Sequence, residues 1–156
     1  MTFKKIVSVT ICLLCILLTG CSNQFAKTQY DSVKDIAKQE DRYAKSSSCL
    51  NYVDDTVILT VGKFDGRQTF LSKNFAEEEE INISLTFTLS EGKAKLVLVD
   101  EEGNVSTITE CTKDSMIEEK TTYTISLKKG MNKFKIVGYD CKDIEFNMDV
   151  EGWNNA

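Results

Sequence analysis

A chain of 156 residues with 19 Lys and Arg against 24 Asp and Glu carries a formal charge of -5 and suits one domain with its own core. It contains no His and no Pro, so imidazole triads, histidine zinc sites and histidine pH switches are excluded, and its turns must rest on Gly, Asn and Asp. The acidic balance also argues against nucleic acid as a partner, because such a footprint requires a basic face.

The first segment, Met1-Thr2-Phe3-Lys4-Lys5, is short and basic, and an apolar run from Ile6 to Leu18 follows, broken only by Ser8 and Thr10. As a helix that run reaches about 20 Å, well short of the ~30 Å hydrocarbon core of a bilayer. A basic start, a short apolar stretch and then small residues describe an export signal rather than a spanning helix. The run closes on Leu18-Thr19-Gly20-Cys21, which resembles the lipobox of bacterial lipoproteins. The resemblance implies a diacylglyceryl group on the Cys21 sulfur and signal cleavage between Gly20 and Cys21, with residues 1–20 removed. Two acyl chains hold stably where one holds marginally. The expectation is therefore a lipid anchor in the cell membrane, with the polypeptide on the extracytoplasmic face.

Without Lys4 and Lys5, the mature chain keeps 17 basic against 24 acidic side chains. That balance argues against polybasic adhesion to anionic lipid. Residues 21–48 are polar and end in Lys45-Ser46-Ser47-Ser48; within them Val33, Ile36, Ala37 and Tyr43 fall near helical spacing. This stretch reads as a tether containing a short helix, and a coil of its length spans roughly 25–30 Å. Of the six cysteines, Cys12 and Cys15 leave with the signal, and Cys49, Cys111 and Cys141 remain beside Cys21. Export permits a disulfide. Cys111 with Cys141 is the expected pair, each sitting at the end of a strand-like run; three free thiols is the alternative. No CxxC pair survives in the mature chain, so redox catalysis and thiolate zinc have no support.

The domain expected over 49–156 is all-β. Ile81, Ile83, Leu85, Phe87 and Leu89 alternate with polar residues without exception, as do Tyr123, Ile125 and Leu127, and Ile144, Phe146, Met148 and Val150. Such alternation marks antiparallel strands with one apolar and one wet face. Lys95–Val99 is apolar on both parities near its end, which predicts a central strand. Turn signals at Asp65-Gly66, Glu91-Gly92, Glu102-Gly103-Asn104, Lys129-Gly130 and Gly138-Tyr139-Asp140 separate about eight strands, near 56–64, 67–75, 80–90, 93–100, 104–110, 119–128, 131–139 and 143–151. The expectation is an antiparallel β-sandwich, jelly-roll-like or immunoglobulin-like, or else a small barrel.

The stretches Lys95–Asn104 and Leu127–Met148, with Gly130 and Asn132 opening a strand that ends at Gly138, are similar to small lipid-anchored β-sandwich proteins of low-GC Gram-positive bacteria. That resemblance implies fold and address, not activity. Gly130 is read as making a turn that Asn132 caps.

Among candidate sites, Glu77–Glu80 reads as a solvated loop, since four consecutive side chains cannot converge on one ion. Asp100–Asn104 lacks the order of a calcium loop and reads as a hairpin turn. Trp153, the sole tryptophan, either closes the core or offers a stacking face for a sugar. Tyr52, Phe64, Tyr139 and Trp153 form the candidate binding platform. No cofactor, no metal site and no catalytic residues are expected. The chain reads as a binding or structural module for an envelope protein or a glycan, not as an enzyme.

Overall fold

Strict two-residue alternation produces strands, and two of them run through residues that resemble turns. The computed structural model describes residue 24 and residues 26–153; the export signal expected over 1–20, the cleavage expected after Gly20 and the lipidation expected at Cys21 lie outside the described residues. A one-turn helix α1 (Val33–Ile36) precedes seven strands. These are β1 (Arg42–Val53), β2 (Thr56–Phe75), β3 (Glu79–Thr88), β4 (Glu91–Val99), β5 (Val105–Thr112), β6 (Ile117–Leu127) and β7 (Gly130–Val150).

All pairings are antiparallel, and one ladder organises them: β2 pairs with β7 from Thr56↔Asp149 to Phe75↔Gly130. The two ends of β7 serve different neighbours along the same edge. Its C-terminal part pairs with β3, which in turn pairs with β6. Its N-terminal part pairs with β4, which pairs with β5. On the other side of β2, β1 forms the sheet edge. The long ladder folds over, so that β3 and β6 face β4 and β5 across a common core. The result is a β-sandwich whose two half-sheets share β2 and β7.

The fold in the ladder is built from the residues that read as turns. Register shifts occur between Phe64 and Gly66 of β2. Gly66 has φ +101°, and a side chain there would run into the Arg42 carbonyl. Opposite, Asp140 and Asp143 of β7 take φ near +50°, a conformation that short polar side chains tolerate. Residues able to adopt positive φ serve a bulge as well as a turn. The expected strands 56–64 and 67–75 are therefore one strand, as are 131–139 and 143–151.

Two expectations about the N-terminal part require correction. The strand β1 begins at Arg42, so the boundary expected at residue 49 falls inside it. The stretch before it is no free tether: Ala26, Tyr30 and Ile36 are buried, and Tyr30 and Ile36 pack on Val97, Val99 and Val137 on the outer face of β4 and β7. This explains why β4 is apolar on both parities. It is central, as expected, with Ala94, Leu96 and Leu98 in the inter-sheet core and Val97 and Val99 under the N-terminal segment.

The expected Cys111–Cys141 disulfide is also absent. Both residues are buried free thiols, donating to the Phe87 and Lys93 carbonyls respectively. Cys111 lies opposite Ala94 on β5, and β7 lies on the far side of β4. Two strand spacings of about 4.8 Å put their backbones beyond the ~7 Å that a disulfide bridges.

Candidate functional site

Folding the ladder in half brings its two ends together, and a cleft opens where they meet. One side is the β1–β2 hairpin, in which Asp54 (φ +52°) and Asp55 connect Val53 to its partner Thr56. The Asp55 carbonyl accepts from the Val150 amide at 2.9 Å, fixing the hairpin to the end of β7. Thr56 donates to Asp149 Oδ1 at 2.8 Å across the same ladder. The other side is the far end of β2, and the Tyr52 hydroxyl spans the gap, donating to the Phe70 carbonyl at 2.6 Å. Burial of that phenol pushes its pKa up, which keeps it protonated and donating.

Trp153 closes the cleft. Its ring stands edge-on to Phe75 at 5.8 Å and to Phe134 at 5.7 Å, the tilted geometry that aromatic quadrupoles favour. Lys73 lies over the indole with Nζ 5.5 Å from the ring centroid and donates to the Trp153 carbonyl at 2.5 Å. The residue is half-buried and packs against the inner core while lining the cleft. The cleft has a volume of about 150 Å³ and is lined by Tyr52, Asp54, Asp55, Thr56, Leu71 and Trp153, among others. That is below the ~300–1,000 Å³ of sites that enclose a drug-sized molecule. It suits one ring of a larger ligand.

The four-residue platform expected from sequence is only half assembled. Tyr52 and Trp153 share the cleft. Tyr139 stands at the opposite pole, beside the bend in the ladder, with Lys27 and Lys93 near its ring. Phe64 is no platform at all: it is 2 % exposed, its ring stacks on Tyr43 at 6.3 Å, and it fills the space over Gly138. Asp54 and Asp55 line the cleft, Lys73 holds Trp153 from behind it, and none of the three was among the expected residues. An Asp-Asp pair flanked by Tyr52-Val53 and the Thr56–Val61 run is a hairpin signal that would have located the first two.

Other candidates take the roles read for them. Asn104 and Asp100 close the β4–β5 turn, the Asn104 amide donating to Asp100 Oδ1 at 2.8 Å. Asn132 accepts from the Lys128 amide and donates to the Lys128 and Gly130 carbonyls, while Gly130 turns at φ +93°. Among the described residues, no group of three His, Cys, Asp or Glu side chains is arranged to hold a metal ion. No helix among them is long and apolar enough to cross a membrane.

No family model matches this chain, and no curated protein does. Several solved structures share part of its shape. A carbohydrate-binding module of Cellvibrio mixtus lichenase 5A, in complex with cellotriose, covers 76 % of this chain and 92 % of its own at 16 % identity and a TM-score of 0.40. The pre-peptidase C-terminal domain of a Bacillus anthracis collagenase covers 71 % and 89 % at 19 % identity and a TM-score of 0.37. A family 29 carbohydrate-binding module covers 72 % and 77 % at 12 % identity and a TM-score of 0.37.

Proposed function

We propose that this chain is a lipid-anchored extracytoplasmic β-sandwich that binds its ligand without transforming it, and that the ligand is a glycan held at the Tyr52–Trp153 cleft. The observation that carries the glycan reading is the company of the indole. The partly buried Trp153 indole lies beside a phenol and two carboxyl groups, Asp54 and Asp55, in a cleft sized for one sugar ring. The C–H face of a pyranose stacks on an indole, and its hydroxyls donate to carboxyl oxygens at the rim. The anchor rests on the Leu18-Thr19-Gly20-Cys21 motif and the short apolar run before it.

Because Trp153 is the sole tryptophan, its emission reports directly on the cleft. Titrating the full chain with cell-wall oligosaccharides is expected to shift indole emission saturably. Tyr52→Ala or Asp54→Asn is expected to weaken that response at least tenfold, which is about 1.4 kcal/mol. Emission unmoved by any envelope polysaccharide would remove the glycan reading and leave an envelope protein as the partner class. The anchor has its own test: Cys21→Ser is expected to leave the chain uncleaved or released from the membrane fraction, and unchanged fractionation and migration would refute it.

A further inference from the structure

The start of the N-terminal segment and the cleft occupy opposite poles of the sandwich. Lys27 pairs with Asp140 at the bend in the ladder, while Trp153 sits against Phe75 and Phe134 where the ladder ends meet. Nine residues of β2 separate Gly66 at the bend from Phe75 at the cleft. At ~3.3 Å per residue the poles lie about 30 Å apart.

The chain between anchor and domain is short. Ala26, five residues after Cys21, is already 3 % exposed, and five extended residues reach at most about 18 Å. A spacer of some 25 residues would let the domain tumble; this one would not. The bend carries Lys27, Lys45, Lys93 and Lys142 and the part-exposed rings of Tyr43 and Tyr139, with the Lys45 ammonium 4.9 Å from the Tyr43 centroid. Several of these lysines are matched by acidic partners such as Asp140 and Glu91. The cleft pole mixes Asp54, Asp55, Glu78, Glu101 and Glu102 with Lys73, Lys128 and Lys129.

We infer that the bend of the β2–β7 ladder rests on the bilayer surface and that the Tyr52–Trp153 cleft faces away from it. This rests on the anchoring reading above. The occupant of the bend pole is the lipid headgroup layer: the five-residue link to Cys21 holds the Lys27 end of the domain against it, and the part-exposed rings of Tyr43 and Tyr139 suit that layer. The ligand is then a glycan reached outward from the membrane, not a lipid headgroup.

The test uses the full lipidated chain in vesicles containing anionic lipid and a headgroup-bound spin-label quencher. Trp153 serves as one probe, and a fluorophore on Lys27→Cys, in a Cys49→Ser background, as the other. Strong quenching at residue 27 with Trp153 emission unchanged is the expected result. Tyr139→Cys labelled in the same way is expected to reproduce the quenching, which guards against a folding defect of one variant. Lipidated protein in which Trp153 is quenched as strongly as residue 27, or more so, overturns the orientation alone. Mass spectrometry that finds no lipid on Cys21 overturns the anchoring reading and the orientation with it.

Discussion

Between the half-sheets, Phe146 meets Phe70 at 5.4 Å and Phe87 at 5.1 Å, both near edge-to-face, within an apolar cluster of twenty-five buried residues. On the outer face of β4 and β7 a second seam has only five, and polar groups complete it. There Lys135 is fully buried and donates to the Lys38 carbonyl at 2.6 Å, while Arg67 donates to the Glu40 carbonyl at 2.9 Å. Backbone carbonyls of the N-terminal segment thus accept from two cations that the sheet buries, and Asp41 lies 3.8 Å from the Lys135 ammonium. The inner seam is held by apolar area, which is indifferent to direction; the outer one by hydrogen bonds that fix where the segment lies. Burial lowers the Lys135 pKa, as expected of an ammonium taken from water.

The contrast is sharpest where one residue is removed from each seam. Phe146→Ala opens a cavity that seven strands cannot close, and a loss of about 3–5 kcal/mol is expected, read from urea unfolding. Ile36→Ala on the outer seam is expected to cost below about 2 kcal/mol, because the segment lifts off before the sandwich unfolds. Faster amide exchange confined to residues 26–38 would show this, and a global loss as large as that of Phe146→Ala would refute it. Smaller still, Lys135→Met keeps the volume, removes a buried charge and leaves one carbonyl unsatisfied. These opposing effects place it within about 1 kcal/mol of the parent.

How much of this was legible follows from what each residue must satisfy. β3 was plain in the sequence because Ile83, Leu85 and Phe87 face the core while Asn82 and Ser84 face water. Gly130 and Asn132 were legible too, since only glycine accepts that φ readily and the amide side chain has three backbone partners. β1 was hidden: as an edge strand it is exposed on most of both faces, so Arg42–Ser48 needs no apolar alternation. The bend was read as two turns because positive-φ residues punctuate hairpins and bulges alike. Half of the candidate site was legible in Tyr52 and Trp153. Their meeting was not, because it depends on β2 folding over at Gly66.

The last effect concerns the thiols, and it probes the inner seam by pH. Burial in the apolar core pushes Cys111 up to about 11 and Cys141 up to about 12. Both values lie above the 9.0 of an open thiol, so the folded state holds these protons more tightly than the unfolded chain does. The stability this contributes is complete below about pH 9 and is lost as pH rises through 11 to 12. The urea midpoint is therefore expected to fall between pH 8.5 and 10.5, and to fall less steeply in a Cys111→Ala, Cys141→Ala double variant. Equal slopes would mean that the thiols titrate freely and that the inner seam admits water. The same burial predicts a labelling pattern: exposed Cys49 reacts with maleimide in the native protein, whereas Cys111 and Cys141 react only after denaturation. Native labelling of either buried thiol at the rate of Cys49 would remove the distinction between the sealed inner seam and the hydrogen-bonded outer one.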